Sequence, residues 1–257
     1  MENKICIITA TFNSSKTISD TIESILKQDY KNFHHLIIDG NSSDNTLEII
    51  DSYKCENITV ISEGDNGIYD AMNKGLLNAN GDIVGFLNSD DLYSNDRVLS
   101  NIASVFEDHQ TQACYGDLVY VNYENNKIVR YWKSGIYKTN LFAKGWCPPH
   151  PTFYVRKNLI EKYGIFDTSF KLAADSEYMM RLMEKNKVKV SYINKVLVRM
   201  RVGGATSKNI SNIIKQNLEI FKALRLNNIK FSVLVFLASK FLNKLIQMLH
   251  KNDYRTE

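Results

Sequence analysis

The tetrapeptide Asn88-Ser89-Asp90-Asp91 closes an apolar run of Ile83, Val84, Phe86 and Leu87. Two adjacent carboxylates beside amide and hydroxyl oxygens form a hard-oxygen site. Such a site suits Mg²⁺ or Mn²⁺, with coordination positions left over for phosphate. An Asp-Asp pair before a helix also serves as a cap, and taken alone the motif favours that simpler role. Asp39-Gly40-Asn41-Ser42-Ser43-Asp44 follows a second apolar run. Asp39 can cap a helix there or accept hydrogen bonds from a base or ribose, and local sequence does not separate the two. His150 lies among Pro148, Pro149 and Pro151, the only prolines in the chain. Each proline fixes φ and removes a donor, so the segment is a stiff, non-helical wall. That wall can offer His150 to a ligand, or simply pack it. Trp146 reads equally as an aromatic platform for a ligand or as a core ring. Arg199 and Arg201 alternate with apolar neighbours, and Arg201, near Gly203-Gly204, is the one expected to reach a diphosphate. Tyr69, Tyr115 and Tyr120 read as core.

The elements that must position these groups follow a β/α rhythm. Strands are expected at Lys4 to Ala10, His35 to Asp39, Ile58 to Ser62 and Ile83 to Asn88. Between them fall a helix with Ile18, Ile22, Ile25 and Leu26 on one face, a second that Asp44 can cap, and a third over Ile68 to Asn78. Such alternation implies βαβ units and a mostly parallel sheet, whose ligands sit outside the carboxyl ends of the strands. After Asp91 the rhythm changes. A helix at Asp96 to Asp108 precedes a strand at Ala113 to Val121 and a hairpin to Tyr131. A helix at Asp175 to Lys185 and strands at Val188 to Ile193 and Val196 to Val202 complete the pattern.

Composition sets outer bounds. The 257 residues are 44% hydrophobic and 23% charged, an ordinary globular balance that excludes a disordered or collagen-like chain. The four cysteines form no C-x-x-C pair, which excludes a zinc knuckle or a thioredoxin-like motif. Scattered thiols and an N-terminus without a signal-peptide pattern lead to the expectation of a cytoplasmic protein. The net charge of +4 is uneven: −1 over the first 214 residues and +5 from Lys215 onward. It gives little support for a nucleic-acid partner. From Phe231 to Lys251, the polar Lys240, Asn243, Lys244, Gln247 and Lys251 share one helical face, and Phe, Leu, Ile and Val fill the rest. The longest uncharged stretch there, Phe231 to Ser239, is far short of the ~20 residues needed to cross a bilayer. An interfacial helix with its lysine stripe toward an anionic leaflet is expected. The bland alternative packs the helix on the body with those lysines in water.

The order of the motifs adds a further inference. T-A-T-F-N (Thr9 to Asn13), I-D-G-N-S-S-D-N-T (Ile38 to Thr46) and E-G-D-N-G-I-Y-D-A-M-N-K-G (Glu63 to Gly75) lead to N-G-D-I-V-G-F-L-N-S-D-D (Asn80 to Asp91). G-W-C-P-P-H-P-T-F (Gly145 to Phe153), A-D-S-E-Y-M-M-R (Ala174 to Arg181) and V-R-M-R-V-G-G (Val198 to Gly204) follow. Together they closely resemble the inverting, nucleotide-sugar-dependent glycosyltransferases of family 2. The resemblance implies a GT-A fold: a Rossmann-like, mostly parallel α/β sheet with an acceptor-side subregion and C-terminal amphipathic helices. It implies a glycosyltransferase domain over 1–210, with a nucleotide-sugar half at 1–92, an acceptor half at 93–210, and a basic helical tail at 211–257. Thr9, Thr11 and Asp39 would line the nucleoside pocket, Asp39 facing uracil, while Asp65 and the Gly67 to Asn73 helix start face the nucleotide-sugar. Asn88-Ser89-Asp90 stands at the family's D-x-D. Asn88 there keeps a hydrogen bond to ribose or phosphate but not a charge, leaving Asp90 as main ligand of Mn²⁺ or Mg²⁺ and Asp91 as a second. Asp175 matches the general base, and the family's preceding glutamate is Ala174 here. Trp146, His150 and Glu177 are the acceptor-side candidates, with Glu177 next in line as base.

The chemistry fits this assignment. Inverting displacement of a nucleoside diphosphate needs a cation for the leaving group and an opposed carboxylate for the acceptor proton. The expected acceptor is a polyprenyl-diphosphate-linked glycan of surface polysaccharide or O-antigen assembly, met at the inner membrane face through the tail. A soluble transferase acting on a protein or free glycan is the alternative. A glycoside hydrolase would need neither the metal site nor a nucleoside pocket, and a non-catalytic binder would not need Asp175. No G-x-G-x-x-G or Walker loop occurs, and no Q-x-x-R-W motif points to a processive synthase.

Overall fold

The computed structural model describes residues 2–53, 55–202 and 210–249; Gly203, Gly204 and Lys251 lie outside them. The first half is built from β1 (Ile5–Thr11), α1 (Ile18–Leu26), β2 (Phe33–Asp39), α2 (Thr46–Ser52), β3 (Ile58–Ser62), α3 (Ile68–Asn78) and β4 (Ile83–Phe86). Its strands pair in parallel in the order β3-β2-β1-β4. β1 is apolar on both faces because both are covered. Cys6 and Ile8 face α3, and Ile5 and Ile7 face Ile25 of α1 in a second core.

The second half comprises β5 (Leu92–Tyr93), α4 (Val98–Val105), β6 (Ala113–Val121), β7 (Ile128–Trp132), β8 (Tyr154–Arg156), α5 (Lys157–Tyr163), α6 (Ala174–Met180) and β9 (Val190–Arg201). β8 joins the halves, antiparallel to both β4 and β6. β6 runs parallel to β9 and antiparallel to β7, and β5 runs antiparallel to β9. The two strands expected between Val188 and Val202 are therefore one. Register shifts opposite Tyr115, Asp117 and Leu118 take up the irregularity without ending β9. The helix expected to reach Lys185 is α-helical to Met180 and continues as a π-helical turn, Arg181–Lys185. The three-residue β8 and the short β5 were below the length at which periodicity signals a strand.

Two helices end the described chain, α7 (Ile210–Leu226) and α8 (Val233–Leu249). α7 buries Ile220, Ala223 and Leu224 in the core that also holds α6. α8 corrects the expected orientation of the lysine stripe. Lys240 turns inward, its Nζ donating to Asn217 Oδ1 at 2.7 Å and lying 5.6 Å from the Phe236 ring centre. Asn243 and Gln247 follow it on the half-buried face, while Leu234, Phe241 and Leu249 are 81%, 66% and 78% exposed. Gly145, at φ +70°, makes room for this face: a Cβ there would sit 3.1 Å from the Phe236 carbonyl oxygen and 3.0 Å from Lys240 Cβ. Phe236, 1% exposed, shares the inward side with Lys240, while Lys244 and most of the apolar side chains face out. Among the described residues, no helix is long and apolar enough to cross a membrane.

Candidate active site

The parallel register aligns Thr11, Asp39 and Ser62 at the carboxyl ends of β1, β2 and β3. Asp39 is fully buried. Its carboxylate accepts from Ser42 N at 3.0 Å, Ser42 Oγ at 2.5 Å and Ser62 Oγ at 2.8 Å. It therefore shapes the loop, and the start of α2 is held instead by Asp44, which accepts from Thr46 N at 3.1 Å. The Thr46 hydroxyl is the main reason the Asp44 carboxyl is held down to about 2. Thr11 Oγ1, buried at the edge of this row, has no partner in the protein. Thr9, expected to line the pocket, lies beneath it with no exposed surface. Its hydroxyl donates to the Leu87 carbonyl at 2.8 Å and meets His35 Nε2 at 3.0 Å. With that hydroxyl spent on Leu87, Nε2 is the donor to Thr9 and the buried Nδ1 is unbonded; burial pushes the imidazole down to about 3.

The loop before α3 folds back onto this edge. Asp65 Oδ1 accepts from Gly67 N at 2.8 Å, and a Cβ on Gly40 would collide with Asp65 Oδ2. Gly67, at φ +110°, supplies a backbone conformation that L side chains avoid. Asn73 is not free for a nucleotide-sugar. Its amide donates to the Phe166 carbonyl at 2.9 Å and accepts from Phe166 N at 2.9 Å, stitching α3 to the segment before α6.

The acidic loop follows β4. Asn88 Nδ2 donates to Asp91 Oδ2 at 2.8 Å, and Ser89 Oγ lies 3.0 Å from Ser14 Oγ. Asp91 is fully buried and its Oδ1 has no partner. Burial first, then the neighbouring Asp90 charge, pushes the Asp91 carboxyl well above the usual carboxylate range. Burial raises Asp90 as well, and the charge of Arg201 opposes the rise. Arg201 donates to Asp20 at 2.5 Å and lies 4.8 Å from the Tyr123 ring centre; its buried Nη1 is unbonded. Among the described residues, no group of three His, Cys, Asp or Glu side chains gathers at one point. The donor set is thus two carboxylates, one with an orphaned oxygen, with too little positive charge around them. That fits a hard divalent ion completing its shell with phosphate oxygens and water.

Across the site, Asp175 stands half-buried in the first turn of α6. Tyr69 Oη on α3 donates to its Oδ1 at 3.1 Å. Tyr69 was read as core; its place in the Gly67 to Asn73 helix start was the available signal. The loop into α6 is held by Glu219 of α7, which accepts from Lys171, Leu172 and Ala173 N at 2.8–3.0 Å. No local pattern announces that contact. Glu177 is buried in an ion pair with Arg181 Nη2 at 3.0 Å and also accepts from Asn227 at 3.3 Å, so it is spoken for as a support and not open to an acceptor. Trp146 donates to the Ser134 carbonyl at 2.8 Å and packs on Tyr115, Tyr137 and Phe142, which decides for the core reading. His150 is wedged against Phe86 and Phe166, lowered by burial yet within reach of the Asp175 charge. One wall therefore carries Asp90 and Arg201, and another carries Asp175.

Residues 6–174 match the profile described as Glycosyl transferase family 2. A PGL/p-HBAD biosynthesis glycosyltransferase of Mycobacterium bovis is 26% identical over 210 residues, covering 79% of both chains. S. aureus TarS 1–349 in complex with UDP superposes with a TM-score of 0.68 at 21% identity, covering 98% of this chain and 72% of that one. The present chain spans 41% of a longer TarS structure. The mannosyltransferase PcManGT from Pyrobaculum calidifontis, in complex with GDP-Man and Mn²⁺, gives a TM-score of 0.66 at 16% identity, over 100% and 77% of the chains. With its mixed sheet, GT-A architecture and matched motifs, the chain belongs to glycosyltransferase family 2.

Proposed function

We propose that the chain transfers one sugar, with inversion, from a UDP-sugar to a polyprenyl-diphosphate-linked glycan at the inner face of the cell membrane. The observation that carries the reading is the Tyr69–Asp175 hydrogen bond, which ties a carboxylate of the acceptor side to the helix that opens the donor side. In this reading residues 1–92 hold the donor and 93–210 the acceptor, with the helices after 210 bracing the base. Thr11, Asp39 and Asp65 face the nucleoside, Thr9 forms its floor, and Asn88, Ser89 and Arg201 face the diphosphate. Mg²⁺ or Mn²⁺, held by Asp90 with Asp91 behind it, supplies positive charge for the departing diphosphate when bound. Asp175 takes the proton of the acceptor hydroxyl as its oxygen bonds to the anomeric carbon. The bond from that carbon to the phosphate oxygen breaks, and the nucleoside diphosphate leaves with the electron pair. A positioned base of this kind is worth about 10²–10⁴-fold.

The outward apolar face of α8 supports the membrane location, because exposed Leu and Phe in one stripe would otherwise remain in water. A panel of nucleotide-sugars with a lipid-diphosphate acceptor, with and without Mn²⁺, tests the reading by nucleotide release. UDP-sugar consumption that depends on the lipid acceptor is expected. Turnover only with proteins or free glycans would replace the acceptor, and α8 would then be an association helix.

A further inference from the structure

Arg130 of β7 is opposite Tyr120 of β6, so their side chains share a face of the sheet. Its guanidinium carbon lies 4.2 Å from the Tyr120 ring centre and 5.2 Å from that of Trp132. The two rings are nearly parallel, 8° apart with centroids separated by 6.4 Å, and the guanidinium lies to one side of the pair, nearer Tyr120. Among the described residues, Nε is sealed from water and has no acceptor, and the two terminal nitrogens have no partner and are not sealed. The other half-buried arginines are engaged: Arg156 with three backbone carbonyls, Arg181 with Glu177 and two carbonyls, Arg199 with Asn126, and Arg201 with Asp20. A cation that burial penalises, held against two rings and without a counter-ion among the described residues, is suited to receive an anion.

Its position says which anion. Tyr120 is level with Met200 on β9, and the β5–β9 register puts Asp91 one step beyond Leu92, at the next position of that row. Arg130 is therefore about three strand spacings, roughly 14 Å, from the acidic loop. Between backbones, that is a separation that a short glycan bridges. The charges of Asp91 and Asp175 both reach the Tyr120 hydroxyl beneath Arg130, so the stack borders the reacting centre. α8 packs against β7, and its outward face carries exposed Leu and Phe. A cation on a strand covered by such a helix suits an anion that carries a lipid.

We propose that Arg130, held over Tyr120 and beside Trp132, binds the diphosphate of the lipid-linked acceptor and so selects phosphate-bearing acceptors. The proposal rests on the acceptor reading given above. Farnesyl diphosphate and uncharged farnesol, titrated into the UDP-saturated protein, are the probes, alongside UDP itself. Arg130→Gln should weaken farnesyl diphosphate about tenfold or more while farnesol and UDP bind as before. Arg130→Lys keeps the charge but not the planar fork and should lose at least about threefold; it carries the test should the Gln variant fail to fold. In turnover, the KM for a lipid-diphosphate acceptor should rise and kcat should hold. Unchanged farnesyl diphosphate binding in both variants would overturn the proposal, as would a parallel loss of UDP affinity, which would make Arg130 a donor residue. Binding through Arg130 in a protein that glycosylates only proteins or free glycans would keep this inference and overturn the lipid acceptor. Turnover of lipid acceptors indifferent to Arg130 would do the reverse.

Discussion

The donor edge and the base wall are assembled in opposite ways. At the donor edge, Asp39 is bound by Ser42 three residues on, Asp91 by Asn88 three residues back, and Asp44 by Thr46 two residues on. At the base wall, Asp175 meets Tyr69 across 106 positions, Glu219 reaches Lys171, Leu172 and Ala173 across 46 to 48, and Asn73 ties down Phe166 across 93. A strand end organises its own loop, whereas α6 is placed by helices α3 and α7. Damage to the donor edge should therefore remove chemistry with the fold intact, and damage to the base wall should shift position and stability together.

The largest effect should come from the donor edge. Asp90→Ala removes the carboxylate proposed to face the diphosphate, and turnover with Mn²⁺ should fall about 10³-fold or more at unchanged thermal stability. Residual activity indifferent to EDTA would place the leaving-group charge elsewhere. Tyr69→Phe sharpens the contrast, because it deletes only the hydrogen bond that orients Asp175. kcat should fall about tenfold with UDP affinity unchanged. Glu219→Gln weakens three charge-assisted bonds to backbone N–H groups. A loss of about 1–3 kcal/mol in urea unfolding is expected, with kcat reduced alongside it. An equal Tm would mean that α7 does not brace the base.

A pH effect of similar size belongs to the floor of the donor edge. His35 is about 3 in the fold against an unfolded value of about 6.5, so its contribution is complete above pH 6.5 and is lost as pH falls. Between pH 7 and pH 5 it should cost about 2 kcal/mol of stability, read from urea midpoints. His35→Gln should flatten that part of the profile. An unchanged slope would assign the acid lability to other groups.

This asymmetry also explains what could be read in advance. The strands at Ile58–Ser62 and Ala113–Val121 and the helix at Ile68–Asn78 were legible because periodicity and turn residues are local properties. So were the acidic loop and the position of Asp175. Its surroundings were not, since Tyr69 reaches Asp175, and Glu219 the loop before it, only through the tertiary fold. Thr9 and Asn73 had suitable chemistry, yet both spend it on Leu87, His35 and Phe166. α1 and α8 show the limit most directly. Both are amphipathic, but α1 buries Ile18, Ile22 and Ile25 completely while α8 turns Lys240 inward and Phe241 outward. A stripe shows that a helix has two sides; which one meets the body depends on the opposing surface, here the bare backbone of Gly145.

The central claim is that Asp175 does chemistry on one wall while the donor is held on the other. Asp175→Asn, nearly isosteric and unable to take a proton, separates the two when UDP affinity by calorimetry and kcat for transfer are measured on the same preparation. UDP binding as in the unaltered chain, with kcat reduced at least about 10²-fold, is the predicted result. Near-normal kcat, or loss of UDP binding in proportion to activity, would contradict it.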